Sequence, residues 1–222
     1  MYLAASAPAL LASGKLDYET RCASCHGEDL RGGVNAPSLR GAGAAYVDFE
    51  LQTGRMPAAV PWIEVGHRGP QLTQATIARI EAYVTSVAPG GTPIPEIETG
   101  GNLHRGRELY DQNCESCHGN DGDGASIGGS LWAPTLHDAS VTQVAEAIRV
   151  GPEEMPRFSD RQLNQRDIND VASYVVSLDV EAATPRIPFS SSGPVPEGLL
   201  GWLAVGTLVA GASLFSRARR PM

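Results

Sequence analysis

Cysteine is scarce in this chain. Its 222 residues include four, all in two close pairs, Cys22 with Cys25 and Cys114 with Cys117. Bridging either pair would close a tiny, strained loop and add no long-range order, so a disulfide framework is not indicated. Methionine is equally rare, with four residues, of which Met1 and Met222 are terminal. Positive charge is also short: 17 Lys and Arg face 25 Asp and Glu. Arg217, Arg219 and Arg220 lie in the last six positions and no acid follows Glu197, so residues 1–197 carry 14 basic against 25 acidic groups. This argues against nucleic acid as a partner, since phosphate binding needs a basic face, and is compatible with a basic protein surface. No alternating run of strand length is present, which disfavours a strand-rich fold such as the thioredoxin-like one around a Cys-x-x-Cys pair.

What the chain does have is a repeat. "CASCHGEDLRG" from Cys22 and "CESCHGNDGDG" from Cys114 are near copies at an offset of 92. Gly14 and Gly106 stand eight residues before the first cysteine of each, and Tyr18 and Tyr110 four before it. Asn35 to Leu39 ("NAPSL") answers Trp132 to Leu136 ("WAPTL"), and "TGRMP" from Thr53 answers "PEEMP" from Pro152. "IARIEAYVTS" from Ile77 answers "INDVASYVVS" from Ile168. Landmarks in the same order mark a tandem duplication.

Ile77, Ile80, Tyr83, Val84 and Val87 recur at three- and four-residue steps, with Thr73 available as a cap; Ile168, Val171, Tyr174, Val175 and Leu178 repeat the pattern. The second copy offers a further helix over Val141 to Val150, capped by Ser140 and ended by Gly151. Gly14, Gly106, Tyr18 and Tyr110 read as packing residues of each copy's first helix. Pro- and Gly-rich linkers separate the parts. The organisation is an N-terminal leader remnant (1–12), a first domain (13–88), a linker (89–100), a second domain (101–180), a linker (181–197), an apolar helix (198–216) and a basic tail (217–222). A domain of such size buries a marginal core, which a large covalent cofactor would complete. Gly198 to Phe215 holds no charge; at ~1.5 Å per residue it spans ~27 Å against a bilayer core of ~30 Å. A transmembrane helix is expected there, with the Arg cluster on the cytoplasmic side and both repeats outside.

Cys-x-x-Cys-His is the attachment signature of c-type haem: two thiols add to the vinyl groups and the histidine ligates iron. Zinc is the rival, but zinc ribbons hold their pairs about 15–20 residues apart, whereas 88 residues separate these and each has its own histidine. Cys22, Cys25, Cys114 and Cys117 are thus the candidate attachment residues, and His26 and His118 the candidate iron ligands. Met56 lies 30 residues after His26 and Met155 lies 37 after His118, at the same landmark and each before a proline. These two are the candidate sixth ligands. His/Met ligation raises the reduction potential and fills both axial positions, which points to electron transfer and not to catalysis at the haem. His67, His104 and His137 recur at no matching place and read as loop or helix-end residues. Pro37 and Pro134 are candidates for holding the proximal imidazoles through their carbonyls.

With box, Pro-x-Leu, Met-Pro and terminal helix in order, each repeat resembles a class I cytochrome c domain. The whole chain, through "GKLDYETRCASCHG", "TGRMPA", "EEMPRFSDRQL" and "GPVPEGLLGW", resembles the dihaem cytochrome c subunit of the actinobacterial-type cytochrome bcc complex, a menaquinol:cytochrome c oxidoreductase. The resemblance implies a mainly α fold of two tandem class I cytochrome c domains followed by one C-terminal transmembrane helix, and two covalently bound haem c groups. It implies as partners cytochrome b, the Rieske iron–sulfur protein and the copper centre of an aa3-type oxidase, often in one supercomplex, and no substrate catalysis by the subunit itself. It places the haem domains outside the cytoplasmic membrane. One departure is that "MYLAASAPALLASGK" lacks a basic start and a long apolar run, so either an upstream leader is missing, the preferred reading, or the C-terminal span directs insertion. The alternatives are an electron-transfer subunit of a periplasmic dehydrogenase or another oxidase, and a dihaem peroxidase-like enzyme.

Overall fold

A computed structural model describes residues 7–34, 36–58, 68–98, 100–182 and 201–210. The chain divides into two units, Met1–Asp179 and Val180–Met222, and both repeats lie in the first. The first repeat contains α1 (Ala7–Arg21), α2 (Ala23–His26), α3 (Ala44–Gln52) and α4 (Gln74–Val87). The second contains α5 (Leu103–Asn113), α6 (Glu115–His118), the strands β1 (Ala125–Gly128) and β2 (Leu131–Ala133), α7 (Val141–Val150) and the start of α8 (Gln165–Ala182).

The terminal helices form where apolar residues recur at helical spacing. Thr73 caps α4, its side chain accepting from the Thr76 amide. On α4, Ile77, Ile80, Tyr83 and Val84 are buried together with Tyr18 and Leu30. On α8, Ile168, Val171, Val175 and Leu178 are buried with Tyr110, Val144 and Ile148. The landmark glycines bring the helices together. A Cβ on Gly14 would stand 2.1 Å from the carbonyl oxygen of Arg79, and one on Gly106 would stand 2.2 Å from that of Asp170. Both distances are far inside van der Waals contact, so α1 lies on α4, and α5 on α8, at a separation that only glycine permits. Rings then close each crossing, Tyr18 against Tyr83 and Tyr110 against Tyr174, with centroids 5.5 Å apart in both pairs.

Two elements differ from the expected pattern. Helix α3 has no side-chain cap at Gly43; its start is held by the linker, whose Thr92 carbonyl accepts from the Ala45 amide at 3.1 Å. The β1–β2 hairpin is antiparallel, pairs Ala125 with Ala133 and Ser126 with Trp132, and carries an irregularity before Gly128. Strands of four and three residues are too short to print an alternating pattern.

The repeats touch through α3 and α7. Arg55 bonds Glu153 at 3.2 Å, and Arg157 reaches the Thr92 hydroxyl at 2.6 Å. The linker is strapped to the second repeat, since Gln165 donates to the Glu96 carbonyl at 2.7 Å and the Glu98 amide donates to Asn169 at 2.9 Å.

The expected transmembrane helix over 198–216 requires correction. Among the described residues no helix is long and apolar enough to cross a membrane. The described helical stretch there covers 201–210. The remainder of that segment lies outside the described residues, as do residues 1–6 of the leader remnant, His67, most of the 181–197 linker and the 217–222 tail.

Candidate functional site

Each Cys-x-x-Cys-His box is one turn of helix. Cys22 ends α1 and opens α2, and its carbonyl accepts from the amides of Cys25 (3.1 Å) and His26 (2.9 Å). Cys114 does the same for Cys117 (3.0 Å) and His118 (2.9 Å). Positions three and four apart on one turn share a face, so both sulfurs and the imidazole address the same space. The turn stops at Gly27 and Gly119, with φ of +79° and +78°, a region glycine enters without steric cost. The carbonyls of these glycines accept from the buried hydroxyls of Tyr18 (2.7 Å) and Tyr110 (2.6 Å), which tie each box to the helix before it. A tyrosine four residues ahead of the box is the sequence signal for this tie, although its hydroxyl partner was not legible.

The histidine rings are held from behind. His26 Nδ1–H donates to the Pro37 carbonyl at 2.9 Å, and His118 Nδ1–H donates to the Pro134 carbonyl at 3.0 Å. A carbonyl can only accept, so Nδ1 carries the proton and Nε2 keeps its lone pair for a metal. Burial pushes the His118 pKa below its ordinary value, with the Pro134 bond acting in the opposite sense; the net effect favours the neutral, ligating form. Burial also pushes the Cys22 thiol up to about 11 and the Cys114 thiol up to about 12. Uncharged sulfur suits these apolar walls.

Two cavities sit over these boxes. The first, about 140 Å³, is lined by Cys22, Cys25, His26, Pro37 and Met56 among apolar residues such as Leu51, Ile80 and Val84. The second, about 160 Å³, is lined by Cys114, Cys117, His118, Pro134 and Met155 with Trp132, Ile148 and Val175. All ten residues singled out in the sequence thus fall into two sets of five, one per cavity. Paired thiols on one turn, an imidazole with a free lone pair, a thioether and an apolar wall fit a c-type haem.

The other histidines stand elsewhere. His104 is exposed at the start of α5, 3.5 Å from Glu108. His137 bonds Asp179 at 2.6 Å and Asp123 at 2.9 Å; partial burial pulls its pKa down, but these two carboxylates outweigh it and hold it above the ordinary value. Three features of the cavities escaped sequence reading. The β1–β2 hairpin walls the second cavity with Ile127, Leu131 and Trp132. Phe49, Thr53 and Arg55 of the first repeat also line it. Glu50 lines the first cavity, and burial raises its pKa to about 7, against the lowering effect of Arg55.

This arrangement, twice over, defines a dihaem c-type cytochrome. Residues 11–88 match the family model described as cytochrome c, and residues 101–175 match that described as cytochrome C oxidase, cbb3-type, subunit III. Across both repeats the chain is similar to proteins named cytochrome bc1 complex cytochrome c subunit. The one from Mycobacterium tuberculosis is 37% identical over 96% of this chain and 80% of its own length. That from Mycobacterium leprae is 36% identical over 95% and 76%, and that from Corynebacterium efficiens 33% identical over 92% and 75%. The chain belongs to the family of cytochrome bc1 complex cytochrome c subunits. It carries covalently bound haem c and serves electron transfer in a respiratory complex.

Proposed function

We propose that Cys22, Cys25, His26 and Met56 hold one haem and Cys114, Cys117, His118 and Met155 the other, and that the pair relays electrons from a Rieske iron–sulfur protein to the copper centre of an aa3-type oxidase. The observation that carries the ligand assignment is the gathering of one box, one proline-held imidazole and one methionine around each cavity. When bound, haem supplies a one-electron ferric–ferrous couple. The chain's own residues set its terms. Pro37 and Pro134 fix the rings and their tautomer. Met56 and Met155 would hold the iron through a soft thioether, which would favour the ferrous state and disfavour binding of oxygen or peroxide. The apolar linings keep water from the metal. These features suit a carrier without substrate catalysis of its own and disfavour a peroxidase-like enzyme.

Similarity across both repeats supports these partners. Cytochrome b and the Rieske protein belong to a bc1-type complex, and an aa3-type oxidase, in one supercomplex with it, is the natural acceptor for a dihaem relay. Covalent haem attachment takes place outside the cytoplasm, so the haem domains are assigned to the extracytoplasmic side of the membrane. The cbb3 description attached to residues 101–175 covers a single domain, and relatives named as cbb3-type oxidase subunits are 26–28% identical over 75–76% of this chain, whereas those carrying the bc1 name reach 36–37% over 95–96%.

Two measurements test this. The reduced-minus-oxidised spectrum of material co-purified from native membranes in mild detergent should show b- and a-type bands beside the c-type signal; a pure c-type spectrum from an intact preparation rejects the relay between complexes. Met155→Ala should leave the haem attached, lower the potential of that iron and let the reduced protein bind carbon monoxide, which the unaltered protein does not. An unchanged potential rejects Met155 as a ligand.

A further inference from the structure

We propose that Arg55, a residue of the first repeat, binds the anionic edge of the haem held in the second, its guanidinium taking a haem carboxylate inside the second cavity. The inference rests on the ligand assignment above and extends it across the boundary between the repeats.

The Arg55 side chain is only 8% exposed. Its Nε–H donates to Glu153 at 3.2 Å, and its guanidinium carbon lies 4.9 Å from the centre of the Phe49 ring. Nη1 is buried and has no hydrogen-bond partner. A buried guanidinium donor without an acceptor is costly, and a carboxylate is the acceptor that matches its planar fork. Glu153 meets one edge of that fork and leaves this donor open.

The open donor belongs to the second cavity. Arg55, with Phe49 and Thr53, lines that cavity, whereas the adjacent Met56 lines the first. Among the described residues lining the second cavity Arg55 is the only lysine or arginine, and Glu153 and Glu154 are there beside it. Haem c brings two propionate carboxylates into a cavity whose own repeat supplies no cation to meet them. The sequence carries the same asymmetry. Where the first repeat reads Gly54-Arg55-Met56-Pro57, the second reads Glu153-Glu154-Met155-Pro156. The second repeat has acid where its counterpart has the arginine, and it borrows that arginine through the interface.

A fixed positive charge at the edge of a haem favours the reduced state and raises its potential. Sequence adjacency alone would assign that effect to the haem ligated by Met56; the geometry assigns it to the haem ligated by Met155. The test is a spectroelectrochemical titration of the purified holoprotein. Met155→His first identifies the second haem's wave by lowering it, and if neither wave moves it is the ligand assignment that fails. With the waves identified, Arg55→Met should lower the second haem's potential more than the first's, while Arg55→Lys should retain most of the native value. A second wave that does not move, or a shift confined to the first, overturns the proposal. Should Arg55→Met yield no holoprotein, Glu153→Gln serves instead: removing the competing carboxylate should raise the second wave, and no change there overturns the proposal equally.

Discussion

Glu146 is the most deeply buried carboxyl side chain described, with 0% of its surface exposed. It lies on α7, which packs against α3 of the other repeat, and neither of its carboxyl oxygens has a hydrogen-bond partner. Burial is the main cause that raises its pKa from 4.5 to about 9, and the neighbouring acids Asp48 and Glu81 add to it. Two carboxylates near each other in this interface repel, which favours the protonated form of Glu146. A carboxyl with a raised pKa holds its proton more tightly folded than unfolded. Its contribution is therefore full below pH 4.5 and is lost as pH rises toward about 9, at up to about 1.4 kcal/mol per pH unit. Thermal unfolding followed from pH 5 to pH 8 should show stability falling for the native protein and a flatter profile for Glu146→Gln. Parallel profiles for the two proteins would show that Glu146 ionises normally.

At the scale of the element, two kinds of signal build these helices. Helix α7 is specified locally: Ser140 accepts from the Gln143 amide, the Gln143 side chain accepts from the Ser140 amide, and Gly151 ends the helix in the left-handed region. Loss of such a cap costs about 1 kcal/mol. The α5–α8 crossing is specified by contact, since Gly106 meets the Asp170 carbonyl and the Tyr174 Cβ with no room for a methyl group. Overpacking of this kind costs about 1–3 kcal/mol. Urea denaturation of the holoprotein should accordingly rank Gly106→Ala as more damaging than Ser140→Ala. The reverse order would mean that α5 can shift on α8 without loss.

At the scale of the molecule, each repeat's core is built around a space it does not fill itself. The cavities of about 140 and 160 Å³ face apolar walls. At about 24 cal/mol per Å³, leaving either empty costs at most about 4 kcal/mol, the upper limit because both open to water. For a small domain that is a large share of the whole stability. Protein matured without haem attachment, as in Cys114→Ser with Cys117→Ser, should lose protection from proteolysis first in the second repeat. Equal protection with and without haem would mean that the cavity collapses freely. The repeats are also not independent modules, because Phe49, Thr53 and Arg55 complete the second cavity from the first repeat.

The amino-acid sequence by itself determined whatever is carried by spacing along the chain. The duplication, the one-turn boxes, α4, α7 and α8 were legible, and the repeated Met-Pro landmark pointed to the methionine that lines each box's cavity, because a helical turn and a repeated landmark are properties of neighbours in sequence. Tertiary structure decided what depends on residues distant in sequence meeting in space. Helix α3 has no cap of its own and starts where the Thr92 carbonyl accepts from the Ala45 amide. The hairpin is too short to show a period yet walls the second cavity. Arg55 stands beside Met56 in sequence but lines the second cavity in space, whereas Met56 lines the first. The apolar stretch near the C-terminus shows the limit from the other side: hydropathy predicted a span over 198–216, while among the described residues no helix is long and apolar enough to cross a membrane.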